Sequence, residues 1–221
     1  MIELLTVYNI AGVELSRYGW DYDGGYLVAN IGGYDCILCC GIGTDVSFEQ
    51  DIAKQFPNTH LHLFDNSIDI LPKEVPGAVF HKEIIDGSNI LQSHLIYNRD
   101  LFIKMDIEGS ETEWVKSLTN SELLHIKQLV IEIHGIARNA DLLKRLNETM
   151  ILVHAHPNNY GGVEMVDSVP VPAALELTYV RRVAGQDIKP NDRPLPLPID
   201  MINNPYKPDL NINFKPFYNE T

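Results

Sequence analysis

The chain has 221 residues, which is enough for one α/β domain and short for two. Its 30 acidic residues outnumber 17 Lys and Arg, giving a formal net charge of −13; this argues against nucleic acid and anionic membranes, which bind through basic residues. The apolar runs are strand-sized and no signal-peptide pattern is seen, so neither a membrane span nor secretion is predicted.

The predicted elements alternate β-rich runs with helical stretches, a pattern typical of a parallel sheet wrapped by helices. An extension over 1–34 precedes a ligand-binding domain over 35–183, and Thr44 or Asp45 is expected to cap its first helix. The predicted strands are 35–40, 61–64, 78–82, 101–105, 128–133, 151–155 and 174–180, and the predicted helices are 46–56, 111–118 and 141–147.

The end of the domain carries the most informative feature of this pattern. The last two predicted strands are joined by a loop rich in Gly, Asn and Pro instead of a helix, which predicts an antiparallel hairpin at the sheet edge. Beyond it, 184–221 holds seven of the 13 prolines. This tail is expected to pack on the body or on a second copy, which would make a homodimer.

The three cysteines, Cys36, Cys39 and Cys40, all lie in the first predicted strand of the domain. Their odd number and close spacing cannot make a disulfide framework. We interpret them as buried thiols of a protein in a reducing, cytoplasmic setting; a Cys-x-x-Cys-Cys metal site is the alternative.

A glycine-containing turn follows this strand and opens the first helix. Gly41 and Gly43 let the backbone approach a ligand at the strand ends, and Val46 stands where a dinucleotide fingerprint has its third glycine. Asp65 ends the second strand, where a carboxylate can accept both ribose hydroxyls. These features predict a nucleoside ligand. The other residues predicted to line it are Thr44, Asp45, Asn66 and Ile84.

Four segments together resemble the FkbM-type methyltransferase family: 40–49 (Cys-Gly-Ile-Gly-Thr-Asp-Val-Ser-Phe-Glu), 63–65 (Leu-Phe-Asp), 103–111 (Ile-Lys-Met-Asp-Ile-Glu-Gly-Ser-Glu) and 130–135 (Val-Ile-Glu-Ile-His-Gly). The resemblance covers roughly 15–182. It implies a class I fold that binds S-adenosylmethionine (SAM) and an O-methyltransferase that acts on sugar or polyketide hydroxyls.

One departure from the family pattern affects the cofactor site. Cys39, Gly43 and Ser47 stand where the family opening has Asp, Asn and its final Gly. The contact that the first acidic residue makes with the methionine amino group would then pass to another side chain. Glu49, in the first turn of the helix, is the candidate; favourable charge at a helix N-terminus is the alternative explanation.

The candidate catalytic residues follow the fourth and fifth strands. Asp106, Glu132 and His134 lie at strand ends that converge in a parallel sheet, and Lys104 shares the face of Asp106. In one mechanism, Mg²⁺ or Mn²⁺ is held by Asp106 with Glu132 or His134 and activates the acceptor hydroxyl. In the other, His134 or Asp106 is a general base without metal. The hard carboxylates favour the metal.

The predicted function is therefore SAM-dependent methylation of a sugar or glycan hydroxyl. A nicotinamide-dependent oxidoreductase is the first alternative, disfavoured by the glycine spacing and the terminal hairpin. A non-catalytic interaction module with the same fold is the second, disfavoured by the presence of Asp106, Glu132 and His134.

Overall fold

A computed structural model describes residues 1–219, which contain a central sheet, three small two-stranded sheets and helices on both faces. The strands are β1 (Tyr8–Ile10), β2 (Leu15–Tyr18), β3 (Tyr26–Ala29), β4 (Cys36–Cys40), β5 (His60–Phe64), β6 (Ala78–His81), β7 (Leu101–Met105), β8 (Ile126–His134), β9 (Met150–Pro157), β10 (Val163–Val166), β11 (Val169–Pro172), β12 (Ala174–Arg181) and β13 (Ile188–Pro190). The α-helices are α1 (Ser47–Gln55), α2 (Gln92–Tyr97), α3 (Glu111–Ser117), α4 (Asn120–His125) and α5 (Ala140–Thr149), and 3₁₀ turns lie at Ile2–Leu5 and Ile136–Arg138. Among the described helices, none has the length and apolar character that crossing a bilayer requires.

The central sheet has seven strands in the order β6-β5-β4-β7-β8-β12-β9. The pairs β4–β5, β5–β6, β4–β7 and β7–β8 are parallel, whereas β12 is antiparallel to both β8 and β9. The predicted fold class, a mostly parallel sheet that closes with an antiparallel hairpin, is confirmed. In this order β4 and β7 are neighbours at the centre of the sheet, and the chain leaves their carboxyl ends towards opposite edges, which forms a crevice between the two connections.

The central position of β4 and β7 explains why both strands are buried. Every residue of β4 and β7 is buried, as expected of parallel strands covered on both faces. Cys39 and Phe102 pack towards α1 on one face, and Leu38 and Ile103 pack towards the helices on the other. The three cysteines are therefore buried thiols whose side chains alternate between two faces, so they cannot converge on one metal.

Several local features differ from the sequence predictions. Val46 precedes α1, and neither Thr44 nor Asp45 caps it among the described contacts, because Asp45 accepts a hydrogen bond from Ser47 instead. The helices α2 and α4 and the hairpin β10–β11 were not predicted. For α4 a signal existed: Thr119 and Glu122 form a reciprocal capping box.

The proline-rich tail packs on the body of its own chain. Its strand β13 pairs with β1, and Ile212 and Phe217 are fully buried in the main core. The side chain of Asn159 donates to the carbonyl of Asn204 at 3.0 Å, and His154 Nε2 lies 2.9 Å from Asp200 Oδ1. Side chains thus supply the bonds that proline cannot make. The last two residues of the predicted 184–221 segment lie outside the described residues.

Candidate active site

A cleft lies at the carboxyl ends of β4, β5, β7 and β8. It consists of three adjoining cavities of about 360, 360 and 240 Å³, all lined in part by Asp106 and Glu108. We call them the first, second and third cavities. Open α/β sheets bind ligands at this edge, beside the point where the strand order reverses.

The turn after β4 depends on a glycine. Gly41 has φ +74°, and a Cβ built on it would lie 1.6 Å from the carbonyl oxygen of Asp106, so no other residue fits without moving the strand ends apart. Gly43 has φ +60° and open space around it. Gly41 therefore allows the close approach of β4 and β7, and Gly43 determines the shape of the loop.

Asp65 organises the same loop from the end of β5. Its Oδ2 accepts hydrogen bonds from the backbone N–H groups of Ile42 and Gly43, both at 2.8 Å, and its Oδ1 accepts from the N–H and Oγ of Ser67 at 2.6 Å. Burial alone would raise the pKa of Asp65, but the bonds from Gly43 and Ser67 lower it below its usual value. The carboxylate is therefore ionised and fixed at the loop; its ribose contact stays a prediction.

Three charged side chains line the inner wall of the first cavity. Lys104 is buried and donates to the carbonyl of Gly41 at 2.6 Å. Burial alone would lower the pKa of Lys104, but the nearby Asp106 and Glu49 carboxylates raise it. Burial raises the pKa of Glu49 to about 7, against the attraction of Lys104. A buried lysine bound to the loop carbonyl thus lies near two acidic side chains.

The predicted cofactor residues are divided between two cavities. The first cavity is lined by Gly41, Gly43, Thr44, Asp45, Glu49, Asp65, Lys104 and Asp106. The third is lined by Gly41, Asp65, Asn66, Ile84 and Asp106 together with Ile85 and Ile107. The structure therefore brings every residue of the predicted cofactor set to the same cleft.

Asp106, Glu132 and His134 meet at the second cavity, whereas Lys104, which was also predicted to be catalytic, lines the first cavity instead. One potential ligand atom each of Asp106, Glu132 and His134 lies within 4.8 Å of the others. His134 Nε2 is 3.3 Å from Glu132 Oε1, and His134 Nδ1 is 3.5 Å from Glu111 Oε1. Contacts with Glu111 and Glu132 raise the pKa of His134 to about 11, and burial raises the pKa of Glu132. His134 thus lies between the side chains of Glu111 and Glu132, which favour its protonated form.

This group is chemically suited to a divalent cation. Carboxylate oxygens and an imidazole nitrogen are ligands for Mn²⁺ and, through the oxygens, for Mg²⁺. Glu132 is 3% exposed and stands opposite Glu176 on β12, so burial and repulsion by neighbouring acidic groups disfavour its ionised form. A cation would take the place of the His134 proton and lower this repulsion. Asp106, Glu132 and His134 would hold it.

Sequence reasoning missed part of the support around this group. Glu111 is 1% exposed and accepts hydrogen bonds from the backbone of Ile107 and Gly109 at 3.2 and 3.1 Å, in addition to facing His134. An acidic residue in the first turn of a helix is already explained by the helix dipole, so nothing in the sequence indicated that Glu111 also contacts His134. Tyr26 was missed as well: its hydroxyl donates to Asp106 Oδ2 at 2.8 Å.

The residues at the end of β9 have separate roles. Asn158 lines the second cavity and donates to Glu132 Oε1 at 2.9 Å. His156 Nδ1 lies 3.1 Å from Glu176 Oε2, behind the cavity wall. His154 and Asn159 hold the tail. Asp23, in the turn between β2 and β3, lines both the first and second cavities.

The strand order, the antiparallel β12, the glycine turn after β4 and the acidic residue after β5 define the class I SAM-methyltransferase fold. No protein-family model matches the chain, so the FkbM resemblance gains no support there. No curated protein matches it either.

Comparison with solved structures gives weak similarities. A 16S rRNA (adenine(1408)-N(1))-methyltransferase from Catenulisporales acidiphilia, solved with SAM, shares 10% identity over 68% of this chain and 87% of its own, with a TM-score of 0.38. Bluetongue virus VP4, described as an RNA-capping protein, shares 14% identity over 80% of this chain and 29% of its own, with a TM-score of 0.36. A protein of echinomycin biosynthesis shares 13% identity over 68% of this chain and 76% of its own, with a TM-score of 0.33. Such values do not assign a reaction.

Proposed function

We propose that this protein is a SAM-dependent O-methyltransferase that methylates a hydroxyl of a sugar or glycan. The observation that carries the proposal is the meeting of two sets of residues in one cleft. The glycine turn and Asp65 border one end, and Asp106, Glu132 and His134 border the other. A methyl donor and an acceptor need this adjacency, because the reacting atoms must be aligned before transfer.

The donor occupies the first and third cavities in this proposal. The adenine lies in the third cavity against the apolar side chains of Ile84 and Ile85, and the ribose hydroxyls face Asp65. The methionine part lies in the first cavity, with its ammonium group towards Glu49. The cationic sulfonium then lies near Asp106, in a cleft whose charge attracts it.

The acceptor occupies the second cavity. Its lining of Asp23, Glu108, Glu132 and Asn158 provides hydrogen-bond acceptors and one amide donor for hydroxyl groups. Tyr160, 54% exposed, offers an aromatic face at the edge of the cavity. The acidic lining repels phosphate groups, which supports a neutral polyhydroxyl compound over a nucleic acid.

In the transfer, the acceptor oxygen forms a bond to the methyl carbon while the bond from that carbon to sulfur breaks. The products are the methyl ether and S-adenosylhomocysteine (SAH), and the hydroxyl proton leaves to a carboxylate of the site or to water. Tyr26 fixes Oδ2 of Asp106, so Oδ1 is the oxygen that remains to accept a proton. A Mg²⁺ or Mn²⁺ ion at Asp106, Glu132 and His134 would lower the pKa of the hydroxyl.

Calorimetric titration of SAM and of SAH into the purified chain, with and without Mg²⁺, is the first test. We expect micromolar binding of both, followed by methyl transfer to members of a panel of free sugars and oligosaccharides. Glu132→Gln should keep SAM binding and lose turnover, because Glu132 lines the second cavity and neither of the two cavities proposed for SAM. Glu113→Gln, on the exposed side of α3, is the matched control and should keep both.

Each alternative has its own outcome. Absence of heat for SAM and SAH, with the protein folded and free of co-purified ligand, would overturn the proposal; heat for NAD in the same experiment would favour the oxidoreductase. SAM binding with no turnover on any acceptor of the panel would favour an interaction module. Full turnover in EDTA would remove the metal from the proposal and leave Asp106 as the base.

A further inference from the structure

A second cluster of potential metal ligands lies away from the cleft, where β4, β5 and β6 meet α2. Cys36 begins β4, His62 lies in the middle of β5, His81 ends β6, and His94 lies on α2. Cys36 pairs with His60 in the parallel register, so Cys36 and His62 project from the same face of the sheet. The helix α2 brings His94 onto that face.

The positions of three of these residues suit one ion. One potential ligand atom each of Cys36, His62 and His94 lies within 4.8 Å of the others, and the rings of His62 and His94 have centroids 4.6 Å apart. Cys36 is 2% exposed, whereas both histidines are partly open to solvent. An ion can therefore reach the cluster, and small side-chain rotations would bring the three atoms to tetrahedral distances.

The orientation of His62 is already fixed by a fourth residue. His62 Nδ1 lies 2.9 Å from His81 Nε2, and His81 Nδ1 lies 3.9 Å from Glu83 Oε1. Histidines that bind metals usually make such a bond with their second ring nitrogen, and it leaves the other nitrogen free to coordinate. His81 thus supports the ring of His62, and Glu83 lies nearby without a hydrogen bond to His81.

Burial affects the three side chains differently, and it raises the pKa of the Cys36 thiol to about 12. Burial and the neighbouring His94 and His81 rings lower the pKa of His62 to about 4, and burial lowers the pKa of His94. A neutral imidazole offers a lone pair to a metal ion. The Cys36 thiol has only a long contact, 3.9 Å, to the carbonyl of Ile37, and a bound metal deprotonates such a thiol.

We propose that Cys36, His62 and His94 form a binding site for Zn²⁺ or a related transition-metal ion. A thiolate with two imidazoles selects such ions over Mg²⁺ and Ca²⁺, which prefer oxygen ligands. The ion would join β4, β5 and α2 and would leave a fourth position for water. The segment from Glu83 to Ile85 connects this region to the third cavity, so the site would also steady that wall.

Cobalt provides a direct spectroscopic test, because only a metal bound by a thiolate gives a sulfur-to-cobalt charge-transfer band. We expect the wild-type protein to bind one Co²⁺ with this band and Zn²⁺ to displace it. Cys36→Ser should abolish the band, whereas Cys39→Ser should retain it, since Cys39 packs on the other face. The group at Asp106 contains no sulfur, so the band reports on this site alone.

The histidine ligands are tested with Zn²⁺ and a chromophoric chelator as competitor. His94→Ala should weaken Zn²⁺ binding by about a hundredfold or more, and His60→Ala, which removes an exposed ring from the same strand, should leave it unchanged. A folded wild-type protein without the band, or a band that survives Cys36→Ser, would overturn the proposal. If Cys36→Ser does not fold, His94→Ala provides the test. An unchanged Zn²⁺ affinity and an unchanged Co²⁺ spectrum in that variant would also overturn the proposed site.

Discussion

Replacement of Gly41 by alanine tests how closely the ends of β4 and β7 approach each other. The new Cβ would start 1.6 Å from the carbonyl oxygen of Asp106, so that oxygen must move by more than 1 Å to reach an ordinary contact. The φ of +74° adds a cost of about 1–2 kcal/mol for a residue with a side chain. Overpacking costs a further 1–3 kcal/mol, roughly.

Two other glycines separate these contributions. Gly43→Ala has φ +60° and meets no atom within 4 Å, and Gly12→Ala, far from the cleft, has φ +79° and equally open space. Both should lose only the cost of the left-handed backbone, about 1–2 kcal/mol. Gly41→Ala should therefore be less stable than either by about 2 kcal/mol, a large part of the roughly 5–15 kcal/mol that stabilises a domain.

Urea unfolding at neutral pH measures the difference. With a slope of about 2 kcal/mol per molar, the midpoint of Gly41→Ala should lie roughly 1 M below that of Gly43→Ala. SAM affinity should fall as well, because Lys104 donates to the Gly41 carbonyl and Asp106 lies across from it. Equal midpoints for the two variants would show that the strand ends are not held as closely as described, and the account of the glycine turn would fail.

Three further predictions concern charged residues. Asp200→Asn should cost about 2–3 kcal/mol, because it leaves the buried side chain of His154 without its charged partner. Burial alone would raise the pKa of Asp200, but His154 lowers it, so the wild-type protein should lose this stability as the pH falls below about 4. Urea unfolding of the variant should lack that acid dependence. Glu111→Gln should reduce turnover by about tenfold to a hundredfold with SAM affinity retained, because the ring of His134 loses its orientation; equal loss of SAM binding in calorimetry would contradict this. Glu49, whose pKa burial raises to about 7, should bind the methionine ammonium only when ionised, so SAM affinity should rise by about tenfold between about pH 6 and pH 8 and should be flat for Glu49→Gln.

The sequence predicted the fold because its signals are local and repeated. Strands such as Cys36–Cys40 are continuous apolar runs, and the face of α5 formed by Leu142, Leu143 and Leu146 follows the helical period. The missing helix before β12 indicated the antiparallel end of the sheet. Where the local signal was weak, prediction failed: α2 has six residues and follows Leu91 at φ 62°, a conformation that leucine gives no reason to expect.

The site was predictable to the extent that it lies at strand ends. Recognisable strands end at or just before Gly41, Asp65, Asp106 and Glu132. Parallel strands bring their carboxyl ends to one edge of the sheet, independently of the conformation of the loops. Glu111 and Tyr26 were not predictable in this way. Their contacts with His134 and Asp106 depend on how α3 and the hairpin β2–β3 are placed against the sheet.

The sequence by itself determined which residues lie at the edge of the sheet, since alternation, apolar runs and glycine turns act over a few neighbours. The tertiary structure alone decided which distant residues face each other. Asn159 and Asn204 order a tail whose composition suggested a linker, and Cys36 meets His62 and His94 instead of its neighbouring cysteines. The physical reason is that strand order, register and helix placement bring these groups together after the chain has folded, and no periodicity along the chain records such contacts.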